Sequence, residues 1–144
     1  MVTDTVQPKG YVKFCLTRNG ETIYSHEQNN LIVTTGKNFF AQRIFLNTEE
    51  LISTVRLGTS NQVADPADVE LIEQNGERPV EFPLIDGNII EYVGTFPEGV
   101  ATGTINEVGL FTNEDTMVSR TVITQPFEKT AQDFLNIIWQ IQIA

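Results

Sequence analysis

Catalysis by a serine or cysteine nucleophile needs a base that a third group holds in place. This chain of 144 residues has a single histidine, His26, and it lies in the polar stretch YSHEQNN. That setting predicts a solvated imidazole and no triad. The single cysteine, Cys15, excludes an internal disulfide. No histidine or basic residue adjoins it, so it reads as a buried, unreactive thiol. One cysteine and one histidine cannot complete a zinc site. The 19 acidic residues could pair in space, yet neither ADPADVE nor TNEDT has the ligand spacing and central glycine of a calcium loop. They read as solvated turn carboxylates. The glycines are dispersed through turns, and the GTG at Gly103 precedes no helix, so no phosphate loop is present. The expectation is a protein without catalytic residues, metal ligands or cofactor.

One charged pair still asks for an explanation. In TINEVGLFTNEDTMVSRTVI, Glu107 precedes the apolar run Val108-Gly109-Leu110-Phe111, and Arg120 sits inside the next apolar strand. The acidic turn around NEDT makes these two strands a hairpin, which brings the charges onto neighbouring strands. An exposed cross-strand pair contributes only about 0.2–1 kcal/mol, but it helps to fix register. The expected role is structural.

The elements that must position this pair are mostly strands. In DFLNIIWQIQIA, Leu135, Ile137, Trp139, Ile141 and Ile143 share one face at a period of two, with Phe134 and Ile138 on the other. Each buried side chain of this kind contributes about 1.5–3 kcal/mol, which predicts a strand central to the core, with Trp139 packed inside it. Near the start, Asn19-Gly20 separates two alternating segments as a two-residue hairpin turn, and Val12, Phe14 and Leu16 form one face of the first arm. The spacing of Phe40 with Ile44 and Ala41 with Phe45 predicts one short amphipathic helix over residues 36–46, with Thr34 or Thr35 as N-cap. ISTVRLGT reads as a strand and SNQVADPAD as a surface loop. VELIEQNGERP fits either a short helix or a strand ending at Asn75-Gly76, and two further strands flank Asp86-Gly87-Asn88. Eight to ten short strands with antiparallel turn chemistry predict a mainly β fold, an antiparallel β-sandwich of jelly-roll-like or immunoglobulin-like kind. The length fits one domain over residues 1–144.

Nine basic against 19 acidic residues give a formal net charge of −10, with the basic residues scattered singly. Such a chain cannot neutralise a phosphate backbone, so neither nucleic acid nor an anionic membrane surface is an expected partner. No apolar run approaches the roughly 20 residues that span a bilayer. The start, MVTDTVQPKG, has neither a basic segment nor an apolar one, which predicts no secretory signal.

The order of signals resembles a known class. NLIVTTGKNFFAQRI, ISTVRLGTS, INEVGLFTNEDTMVSRTVI, QPFEKT and LNIIWQIQI, in that sequence, are similar to small virion proteins of tailed bacteriophages and to the amino-terminal anchoring domains of their tail-collar fibres. The resemblance covers residues 30–143, the sandwich core. It implies a non-enzymatic building block that anchors or joins subunits in the tail, at the neck, collar or baseplate. Capsid decoration and host recognition through a bound sugar are the alternatives. The implied partners are other virion proteins and further copies of the chain, as a trimer or ring. The implied location is the virion, after synthesis in the host cytoplasm. Residues 1–28 then read as an added hairpin for a subunit contact. Phe39, Phe82, Phe127 and Ile138, apolar but outside the main alternation, are the candidate contact residues.

Overall fold

The computed structural model describes residues 8–46 and 49–143, with the side chains of Phe45 and Phe82 outside that description. The described residues form nine strands and one helix: β1 (Pro8–Arg18), β2 (Glu21–Ile32), α1 (Thr34–Phe45), β3 (Ile52–Gly58), β4 (Gln74–Pro79), β5 (Glu81–Asp86), β6 (Ile89–Phe96), β7 (Gly103–Thr112), β8 (Met117–Lys129) and β9 (Asp133–Ile143). All pair antiparallel in one sheet of order β4-β3-β7-β8-β2-β1-β9-β6-β5. The sheet curls until its two halves face each other. A Cβ added at Gly94 in β6 would lie 2.9 Å from a Val55 methyl in β3, and Arg78 Nε of β4 donates to the Thr95 carbonyl of β6 at 3.0 Å. The chain is thus a mainly β protein of sandwich-like class.

The curl has its corner where β2 meets β8. Their backbone ladder is only Leu31–Arg120 and Ile32–Ser119. Beyond it the strands diverge, and side chains bridge the widening gap. Gln28 donates to Thr121 and to the Val122 carbonyl and accepts from the Thr124 amide, while His26 bonds Thr124 and the Tyr24 hydroxyl donates to the Gln125 carbonyl. These bonds satisfy backbone groups that the broken ladder would otherwise leave without partners.

The core lies between the halves. Val12, Phe14 and Leu16 of β1 and Leu135, Ile137, Trp139 and Ile141 of β9 point inward from one half. Val55, Leu57, Ile105, Val108, Leu110, Ile123 and Phe127 meet them from the other. Trp139 keeps its polar atom satisfied: with the Asn30 amide oriented by its hydrogen bonds, the Asn30 oxygen accepts from the indole N–H at 3.0 Å.

The Asn19-Gly20 turn forms as expected, with both residues at positive φ. Its hairpin is not an addition to the sandwich, however. β1 runs between β2 and β9, so the hairpin supplies the middle of the sheet. α1 begins two residues earlier than expected, and its cap position is Val33, which makes no side-chain capping bond. Thr35 instead donates to the Met117 carbonyl of β8 at 2.6 Å. The inward face of α1 carries Gly36 and Phe39, with Phe40 half-buried against the core, while Ile44, its expected companion, is 90% exposed. Docking against β8 from the N-terminal end overrides the spacing. Asn75-Gly76 lies within β4 rather than ending a strand. Phe39 and Phe127 are core residues, which removes them as contact candidates. Ile138 is half-buried on the opposite face of β9, and the side chain of Phe82 lies outside the described residues.

At one end of the β1–β9 ladder, Arg18 and Asp133 face each other and join by two bonds of 2.7 and 3.0 Å, and Asp133 also accepts from the Thr130 amide. The Arg18 guanidinium holds the Asp133 carboxyl well below the usual carboxylate range. The folded pKa therefore lies under the unfolded one of about 3.9, so the stabilisation is full above that pH and is lost as acid protonates the group. Melting temperatures from pH 7 down to pH 2 should fall below about pH 4. Asp133→Asn should melt lower at pH 7 and fall less steeply in acid, whereas equal acid slopes would exclude this role.

Candidate functional site

Alternation along β7 places Glu107, Gly109 and Phe111 on the face turned away from the main core, and Arg120 lies opposite Gly109 on β8. Glu107 and Arg120 are thus diagonal neighbours on the outer face of their half-sheet. An outer face would ordinarily meet water. Here the connection from Thr59 to Glu73 folds back over it, and Leu71 of that loop packs with Phe111, Met117 and Val33 in a second apolar cluster. Both charged side chains are completely buried beneath the loop.

The pair is saturated with partners. Arg120 Nε and Nη2 each lie 3.2 Å from Glu107 Oε1. Oε1 also accepts from the Ile72 amide at 3.0 Å, and Oε2 accepts from the Ser60 and Glu73 amides at 3.1 and 2.8 Å. A carboxylate offers about four acceptor positions, and these contacts use them. The arginine is held from the loop as well, with Nη1 donating to Asp68 at 3.0 Å and Nη2 to the Gln62 carbonyl at 2.9 Å. Gly58 makes room for this, because a Cβ there would lie 2.6 Å from the Glu107 carboxylate and from the Glu73 carbonyl. Both charged groups are thus engaged from within the protein.

What the pair does instead is hold the loop. Its bonds reach Ser60, Gln62, Asp68, Ile72 and Glu73, and further ties come from Asn106 to the Thr59 carbonyl and from the Thr34 amide to the Pro66 carbonyl. Asp65 caps its own turn by accepting from Ala67. Restraining a backbone residue costs roughly 1–2 kcal/mol, and hydrogen bonds to charged groups, at about 1.5–3 kcal/mol each, are among the few local interactions strong enough to offset that.

Nearby, Arg56 stacks 4.0 Å over the Phe111 ring and pairs with Asp115 of the NEDT turn, its Nε lying 3.1 Å from Glu77 without hydrogen-bond alignment. Thr112 donates to the buried Glu50 carboxylate and accepts from the Glu114 and Thr116 amides. That bond to Thr112 is the chief cause that lowers the Glu50 pKa below its ordinary value.

Two surfaces result. The pinned loop turns Val63 (81% exposed), Val69 (58%) and Ile72 outward. Beside the far end of α1, Phe40, Arg43, Leu51, Pro83, Ile85 and Tyr92 line an open apolar groove, with Ile85 72% and Leu51 54% exposed. Among the described residues no three His, Cys, Asp or Glu side chains gather as metal ligands, and no helix is long and apolar enough to cross a membrane. Comparison with protein-family models, curated proteins and solved structures finds no match.

Of the residues singled out from the sequence, Leu135, Ile137, Trp139 and Ile141 lie together in the core and Glu107 and Arg120 under the loop. The loop ties, Gly58 and the groove were not foreseen. The hint was available in Arg120 itself, since a strand reading MVSRTVI leaves its arginine little water on either side.

Removing one member of a buried ion pair costs about 3–5 kcal/mol. Glu107→Gln should lose about 3 kcal/mol, the lower end because Arg120 keeps Asp68. That approaches the roughly 3–5 kcal/mol expected for Trp139→Ala. Urea melts measure both, and a loss under about 1 kcal/mol for Glu107→Gln would return the pair to the class of exposed bridges.

Proposed function

We propose that this chain is a non-enzymatic structural protein of a tailed-bacteriophage virion, anchoring or joining neighbouring subunits in the tail at the neck, collar or baseplate. Two things support the reading. The sequence resembles tail-collar anchoring domains over residues 30–143, and the structure presents a surface suited to subunit contact. The observation that carries it is the 59–73 loop, whose exposed Val63 and Val69 are held from below by a buried, hydrogen-bonded Glu107–Arg120 pair. Exposed apolar side chains on a restrained backbone lose little further entropy when a partner covers them, and this favours a docking role. The partners in this reading are other virion proteins and further copies of the chain.

Electron microscopy of labelled particles, with a count of chains per particle, tests the proposal. Tens of copies or fewer at the tail are expected. Hundreds spread over the shell would make the chain a capsid decoration protein, and absence from purified particles would end the virion reading.

A further inference from the structure

Asparagine followed by glycine is chemically labile, because glycine has no Cβ to shield its backbone nitrogen from the side chain before it. That nitrogen attacks the asparagine Cγ. The N–Cγ bond forms, the side-chain nitrogen leaves as ammonia with the proton of the glycine N–H, and a five-membered imide remains. Water then opens the imide at either carbonyl. Opening at the side-chain carbonyl leaves aspartate, and opening at the main-chain carbonyl leaves isoaspartate. The sequence holds two such pairs, Asn19-Gly20 and Asn75-Gly76. Asp86-Gly87 can close the same ring, but a carboxylate is a poorer electrophile than an amide and closes more slowly.

The fold separates the two asparagines. Asn19 and Gly20 are both exposed at the tip of the β1–β2 hairpin, beyond its last ladder pair, Arg18–Glu21. Among the described residues nothing hydrogen-bonds the Asn19 side chain, and a Cβ at Gly20 would meet nothing within 4 Å. Ring closure needs Asn19 to rotate out of its left-handed conformation, φ 53°. At a hairpin tip that rotation disturbs only the turn and one pair, and such ends open at the lowest free energy. Arg18 meanwhile stays held to Asp133 on its other side. Asn75 is the extra residue of a bulge in β4, yet it is restrained. Its Nδ2 donates to the Thr102 carbonyl at 3.1 Å, and Gly76 pairs with Leu57 of β3. Ala101 closes the space over Gly76, where a Cβ would lie 2.6 Å from the Ala101 methyl.

We propose that Asn19 is a self-modification site: in the folded chain the Gly20 nitrogen closes on its side chain, and hydrolysis leaves aspartate and isoaspartate there while Asn75 keeps its amide. The place of the product gives it consequence. β1 and β2 lie in the middle of the sheet, and isoaspartate adds a main-chain carbon to the two-residue turn that joins them. Such a turn matches the twist of its strands only in its primed form, so the longer chain no longer fits. The new carboxylate also stands beside Arg18, the partner of Asp133, and two residues from Glu21.

The test incubates the full chain at mildly alkaline pH, folded in buffer and unfolded in guanidinium chloride, until the unfolded sample has converted. Peptide mapping by mass spectrometry locates each new acid, and labelling with an isoaspartyl methyltransferase counts isoaspartate. Unfolded, Asn19 and Asn75 should convert at similar rates. Folded, Asn19 should outpace Asn75 by at least about tenfold, since one needs a turn to open and the other a strand. Asn19→Gly, which suits the left-handed position, should abolish the folded-state signal at the hairpin, and Asn75→Gln should leave it unchanged. Converted wild type should melt below fresh protein, whereas Asn19→Gly kept for the same time should not change. Asn75 converting as fast as Asn19 in the folded chain would overturn the proposal. So would an Asn19 that stays intact there long after the unfolded sample has converted. Equal melting of fresh and converted wild type would remove the effect claimed on the hairpin.

Discussion

A buried carboxylate bound to a buried guanidinium is costly to desolvate and is tolerated only when every remaining lone pair and proton finds a partner. Glu107 and Arg120 find those partners in a loop that is distant in sequence: three backbone amides on the carboxylate, and the Asp68 carboxylate and Gln62 carbonyl on the guanidinium. The requirement runs both ways: the charges need the loop amides and carbonyls to stay out of water, and the loop needs the charges to stay folded. This reciprocity explains why Gly58 has no side chain, why Leu71 is the loop's buried apolar residue, and why Asp68 belongs to the network rather than to solvent. It also explains how an irregular segment presents valines outward on a fixed backbone.

The scaffold beneath is a single sheet bent on itself. Its long central strands are joined by full ladders on either side of the corner, while β2 and β8 are held mainly by Gln28, His26 and Tyr24 reaching across. The curl creates one enclosed core and leaves the outer face of β7 and β8 in need of cover. The loop supplies that cover, so the core and the presented surface follow from the same bend.

Much of this was legible in the sequence, for stated physical reasons. The period-two face of Leu135, Ile137, Trp139 and Ile141, the Asn19-Gly20 turn and the hairpin around NEDT are local signals, and the mainly β class follows from them. The burial of Glu107 and Arg120 was not legible, because alternation assigns a face but does not say what covers it. Phe39 and Phe127 looked spare on their own segments and became core only when the halves closed. The spacing marks the helix and places Phe40 on its inner side, but contact with β8 turns Gly36 and Phe39 fully inward and leaves Ile44 exposed. The groove unites residues of α1, β5 and β6 that no local pattern connects.

The chain's most elaborate polar network is sealed from solvent and shapes a loop. The central claim is that the Glu107 carboxylate, with Arg120, holds the 59–73 loop in its presented form. Native-state hydrogen exchange at the Ser60, Ile72 and Glu73 amides addresses it most directly, comparing the wild-type chain with Glu107→Gln. The account predicts that these three amides lose their protection in the variant while the β1–β9 ladder around Trp139 keeps its own. Equal protection of the three amides in both proteins would contradict it.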